Sequence, residues 1–256
     1  MVRNLTLAAL LLLAARPAAA EDVHLHYTAY AAGLPVLAME ADWNILPTAY
    51  KVHLALHTVG TLALAFKGQS DSIAEGVFEA GHPKPRRYFS YGTLGGMQRV
   101  TQIDYPGHEP RVRQMVPPDE DERDPVPETQ QAGTVDSLSA MAELVRQVNA
   151  TGRCDGRIST FDGRRLSELA ARTGSVQQLE ATSRSSYSGL ALRCDFEGRQ
   201  LGGFIHDEDQ TRLREPQHGT AWFAATTPGG EQVPVRIEFR TRWFGTATMY
   251  VTAAAR

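Results

Sequence analysis

Four histidines fall into two pairs with strand-like spacing, His24 with His26 and His53 with His57. Side chains on a strand alternate between two faces with a period of two, so each pair lies on one face. Imidazole nitrogens bind zinc and copper, and two such strands side by side would gather ligands for a metal ion. With no nearby carboxylate or cysteine completing a ligand set, the expectation is solvent-facing histidines and no metal. Cys154 and Cys194 are the two cysteines of the chain. In an exported protein they read as one disulfide, with two buried free thiols as the alternative. Pairing would consume the thiolate and remove Cys154 as a nucleophile.

Two aspartates stand where acid–base chemistry or local structure could use them. Asp136 precedes a helical stripe, where its carboxylate can accept from unpaired N–H groups. Asp162-Gly163 is a strong turn signal. Each has a sufficient structural role, so neither is assigned to catalysis. Arg164 and Arg165 follow the turn and could grip an anionic headgroup, although such arginines more often form ion pairs on a sheet surface. No Gly-x-Ser-x-Gly elbow is present, and Ser188-Gly189 does not replace one. The GTLGG run at 92–96 lacks the strand-to-helix context of a phosphate loop. No catalytic residue and no cofactor are assigned.

The elements that position these residues read mostly as strands. Residues 23–31, 36–45, 50–58, 72–79, 85–91 and 97–105 alternate or are bounded by glycine and proline turns. Leu138, Met141, Leu144, Val145 and Val148 form the stripe of one amphipathic helix over 137–148, with Ser139, Glu143, Arg146 and Gln147 on its other side. Gly152 is its expected stop. Strands resume at 157–161, from Arg164, and at 176–183, 187–197, 219–226, 233–242 and 246–254, with a loop or short helical turn at 206–214. So many half-buried strands predict a mostly β protein: a large curled antiparallel sheet, an open barrel or clam, with one main helix packed against it. Trp222, Phe239, Trp243 and Phe244 are the candidates to line an apolar pocket on its inner face.

Residues 1–20 read as a signal peptide, with a basic start at Arg3, a short apolar run and the small-residue site Ala18-Ala19-Ala20. Cleavage is expected before Glu21, leaving 21–256 as a single domain in the periplasm without a transmembrane segment. Losing Arg3 and Arg16 moves the net charge from −3 to −5. A mildly acidic chain without basic blocks is a poor candidate for binding nucleic acid. Residues 117–132, PPDEDERDPVPETQQA, read as an exposed acidic connection.

The order of features resembles the domain of unknown function 3108 family of bacterial envelope proteins. It runs from Tyr27 and Tyr30 with Gly33, through the acidic loop and the helix start at Thr134-Val135-Asp136-Ser137, to Cys154 and Phe161-Asp162-Gly163-Arg164-Arg165. Ser137 stands where the family pattern favours proline. The resemblance implies a secreted β-rich protein, similar in shape to the open-barrel lipid carriers LolA and LolB. It marks Asp136, Cys154, Asp162, Gly163 and Arg164 as motif positions without catalytic roles. The functional expectation is a non-catalytic envelope protein holding a lipid or other amphiphile in its curved sheet. The alternatives are an assembly factor that binds another envelope protein, and a cell-wall hydrolase of unrecognised type.

Overall fold

The computed structural model describes residues 22–206, 208–241 and 245–255. The expected signal peptide and its expected cleavage site, and Trp243 and Phe244, lie outside them. Thirteen antiparallel strands form one sheet: β1 (Val23–Ala31), β2 (Leu34–Ile45), β3 (Ala49–Thr58), β4 (Gly68–Glu79), β5 (His82–Leu94), β6 (Met97–Asp104), β7 (Arg111–Val116), β8 (Gly156–Phe161), β9 (Leu166–Leu179), β10 (Gly189–Gly202), β11 (Gln217–Ala225), β12 (Gln232–Thr241) and β13 (Gly245–Ala255). Their spatial order is β7-β6-β5-β4-β3-β2-β1-β13-β12-β11-β10-β9-β8. Two meanders are therefore joined where the first strand pairs with the last, leaving β7 and β8 as edges.

The predicted curled sheet is present, and it is not closed by a strand ladder. The central helix (Ser137–Thr151) packs against β2, β3, β4, β5, β8 and β12, so the sheet wraps around it. Asp136 caps its start by accepting from the Ser139 N–H, and Gly152 ends it in the left-handed conformation. One assignment changes. Ser139, expected on the polar side, is fully buried along with Ala140 and Ala142. A helix enclosed by a curved sheet buries more than one stripe, and Ser139 tolerates this because Tyr50 Oη donates to its hydroxyl at 2.7 Å.

The edge of β8 is covered locally. Val135 N–H donates to the Ser159 carbonyl, and Phe161 N–H donates to Val135, which leaves that stretch of edge without open backbone groups. The Cys154–Cys194 disulfide ties the helix exit to β10.

Three local readings are corrected. The strands expected from Arg164 and at 176–183 are one long strand, β9. The Asp162-Gly163 turn is a four-residue connection, because Phe161 pairs with Leu166. Its Asp162 Oδ1 accepts from the backbone N–H of Arg164 and Arg165, holding both out of the ladder. Strand β7 carries no clear alternation and is absent from the expected strands.

Candidate functional site: an arginine-lined cleft at the mouth of the barrel

The site is built where the two ends of the sheet meet. Gly163, at the tip of the β8–β9 connection, has a φ of +94°, and a Cβ there would lie 2.5 Å from Thr101 Cγ2 on β6. Glycine is thus required for both conformation and closeness. Arg164 then reaches across the gap, donating through Nη2 to the carbonyls of Val116 and Pro117 at 2.9 and 2.8 Å. Behind it, Gly203 (φ +74°) lets the backbone approach so closely that a Cβ would fall 1.8 Å from the Arg164 carbonyl oxygen. Side-chain and turn contacts, rather than a ladder, close the barrel here.

The junction leaves a cleft of about 610 Å³. Arg99, Arg123, Arg164 and Arg165 line it with Asp121, Glu122, Asp162 and His206, and Tyr88, Leu94 and Ile205 add apolar surface. Arg99 grips Glu122 through both terminal nitrogens, one at 2.7 Å. This fork holds the Glu122 carboxyl below the usual carboxylate range against the opposing effect of burial. Asp162 is also held low. Burial would raise it, but the Arg165 guanidinium beside it and the two backbone N–H groups outweigh burial. Both acids are therefore ionised partners of arginine, not proton donors.

Three of the arginines keep a buried nitrogen without a hydrogen-bond acceptor among the described residues: Arg99 Nε, Arg123 Nε and Arg164 Nη1. Arg164 Nη1 has only the carboxylates of Asp119 at 3.6 Å and Glu122 at 3.8 Å. Such donors are costly to leave unmade, and they lie in the same guanidinium groups that line the cleft.

One rim of the cleft is apolar. Leu94, part of the wall, is 44 % exposed, and Phe66 and Met97 are exposed beside it. Met97 is the cross-strand partner of Leu94. The Phe66 ring and Leu94 both come within 4 Å of where a Gly68 side chain would start. A Gly95 N–H bond to Lys67 ties the two hairpin tips together.

Of the residues singled out in the sequence, Asp162, Arg164 and Arg165 meet in this cleft, with Gly163 between them in the chain. Asp136 does not belong to it. It is fully buried at the helix start, accepting from Ser139 N and Oγ at 2.9 and 2.6 Å, and burial pushes its carboxyl up to about 6. Trp222 is buried, donating to Gln177 Oε1 at 2.9 Å beneath the Arg236 guanidinium, and Phe239 is 40 % exposed. Neither is in the wall of the cleft. The connection at 117–132 is exposed at most positions, yet it buries Asp119 and Val126 and supplies Asp121, Glu122 and Arg123 to the wall. Sequence reasoning missed Arg99, Glu122, Arg123 and Gly203. The mixed Glu122-Arg123 pair inside an acidic run was the signal available.

The histidines also need correcting. Carboxylates do accompany them: His24 pairs across the ladder with Asp42, and His26 with Glu40. Asp42 Oδ1 accepts from His24 Nδ1, and Asp42 Oδ2 accepts from His53 Nδ1 at 2.9 Å. These partners come from strand register, which spacing along one strand cannot reveal. His57 shares the face of His53 but is exposed and outside this group.

No curated protein matches the chain in sequence. In structure it is similar to the crystal structure of a β-barrel-like protein of the domain of unknown function DUF1849 from Brucella abortus. The TM-score is 0.51 at 10 % identity, covering 91 % of this chain and 95 % of that one. At that identity the likeness speaks for the fold alone. Residues 25–252 match the family described as protein of unknown function DUF3108, and the chain belongs to that family.

Proposed function

We propose that the protein is a non-catalytic component of the bacterial cell envelope that holds an amphiphile with an anionic headgroup at the mouth of its barrel. The observation that carries this reading is the continuity of two surfaces. Leu94 lines the arginine cleft and also belongs to the exposed apolar hairpin tips with Phe66 and Met97. A headgroup would pair with the guanidinium groups that line the cleft, and an acyl chain would lie on the tips. On the inner side, by contrast, the central helix packs against β2, β3, β4, β5, β8 and β12. The disulfide supports an oxidising compartment such as the periplasm. A non-catalytic role is supported by the state of Glu122 and Asp162, both held ionised by arginine rather than poised to move a proton.

Native mass spectrometry with short-chain phosphatidylglycerol and phosphatidylcholine tests this. The expected result is a phosphatidylglycerol adduct that is weakened by Arg99→Gln and by Phe66→Ser. Equal retention of both lipids, or of neither, would overturn it. Capture of an envelope protein in place of lipid would favour the assembly-factor reading.

A further inference from the structure

A second cluster lies on the outer face of the sheet, on strands β1 to β4. His24 and His26 point outward from β1, because Leu25 and Tyr27 between and after them are buried. Their rings stand nearly perpendicular, at 87°, with the two Nε2 atoms 3.1 Å apart. One ligand atom each from His24, His26 and Glu40 lies within 4.8 Å of the other two.

The hydrogen-bond pattern says which atoms are free to coordinate. A carboxylate only accepts, so His24 Nδ1 carries the hydrogen it gives to Asp42. His24 Nε2 is then a lone pair aimed at His26. His53 donates from both ring nitrogens, to Asp42 at 2.9 Å and to Asp71 at 3.0 Å, which requires its protonated form and raises its pKa. On the other side, His26 Nδ1 faces Glu40 Oε1 at 3.7 Å. The two Nε2 atoms face each other across 3.1 Å, close enough for one hydrogen bond or for two ligands of one ion.

We propose that His24 Nε2, His26 Nε2 and the Glu40 carboxylate bind one divalent transition-metal ion, zinc or copper, on the outside of the barrel. Tetrahedral zinc with nitrogen ligands at about 2.05 Å places the nitrogens about 3.3 Å apart, close to the spacing already present. The Glu40 side chain, half exposed, swings inward to complete a three-ligand site with one open position. Asp42 orients His24 through the ring nitrogen opposite the metal, the usual arrangement behind a ligating histidine. In the metal-free pair one Nε2 holds a hydrogen and donates it to the other. Coordination takes the lone pair at that nitrogen, so its hydrogen moves to the ring's Nδ1, beside Glu40. The site joins β1 to β2 and is separate from the arginine cleft.

The test uses the protein prepared without a histidine tag and stripped with chelator, titrated calorimetrically with zinc, copper(II) and magnesium. The expected result is one zinc or copper per chain and no magnesium uptake. Asp42→Asn should weaken binding by about 10- to 100-fold. The His24→Ala/His26→Ala double variant should lose it while keeping its circular dichroism melt. His53→Ala, which keeps all three ligands, should retain the stoichiometry. Absence of saturable uptake would overturn the proposal, leaving a shared proton between the rings. So would wild-type uptake by the double variant, or loss in His53→Ala with retention in His26→Ala.

Discussion

Asp136 and Asp162 look alike in the sequence and end in opposite electrostatic states. Each begins or turns a local element, and each accepts backbone N–H bonds within three residues. Asp136 lies inside the barrel, surrounded by Ser139 and, more distantly, by tyrosines, and its carboxyl is pushed up to about 6. Asp162 lies at the mouth, against the Arg165 guanidinium, and its carboxyl is held low. The local motif supplies hydrogen bonds to both, and only the mouth supplies a cation. Hydrogen bonds alone do not offset full burial of a carboxylate. The interior is thus a closed structural network and the mouth is a charged, open one.

This contrast can be broken or sharpened in four ways. The largest effect belongs to the disulfide, which anchors the interior helix and spans a separation of 40 residues. In the chain-entropy model its loss costs about 4 kcal/mol. A Cys154→Ser/Cys194→Ser variant should show this in urea unfolding, with the cleft's lipid adducts preserved in the fraction that remains folded. An unchanged midpoint would mean the helix needs no anchor.

Next comes Asp136. Replacement by alanine removes the cap and strands the Ser139 hydroxyl, an expected loss of about 2–4 kcal/mol. The Asp136→Asn variant would keep a cap that cannot ionise. Because the folded carboxyl titrates near 6 and the unfolded one near 3.8, the native state holds an extra proton between those values. Its contribution to stability therefore falls as pH rises from about 4 to about 6, by up to about 3 kcal/mol. The stability of Asp136→Asn relative to wild type should accordingly grow over that window. A pH-independent difference would remove the interior titration.

Asp162→Ala should cost less, about 1–2 kcal/mol at pH 7, since the group is partly exposed and its ion pair is screened. Here the sign reverses. A depressed carboxyl contributes above its unfolded pKa and loses that contribution as pH falls through the folded value. The penalty of this substitution should shrink in acid, whereas that of Asp136→Asn moves the other way. Parallel pH curves for the two variants would erase the distinction between interior and mouth.

The smallest stability effect is expected at the rim. Phe66 is exposed, so Phe66→Ser should change unfolding by no more than about 0.5 kcal/mol. Loss of the phosphatidylglycerol adduct without loss of stability would separate binding from folding at the mouth.

Much of the scaffold was legible in the sequence, because its signals are local. A period of two assigns faces within a strand, as at Leu25 and Tyr27 inward and His24 and His26 outward. The helix and its caps at Asp136 and Gly152 follow from neighbouring residues alone, and Cys194 is the one available partner for Cys154 within the chain. What alternation does not carry is register or curvature, since both depend on hydrogen bonds between distant segments. Only the folded sheet pairs His24 with Asp42 and His26 with Glu40. Only its curling around the helix buries Ser139 and brings Gly163 against Thr101. The same curling sets Arg99, Arg123 and Arg164, far apart in the chain, around one cleft, and leaves their unmade donors beside an apolar rim.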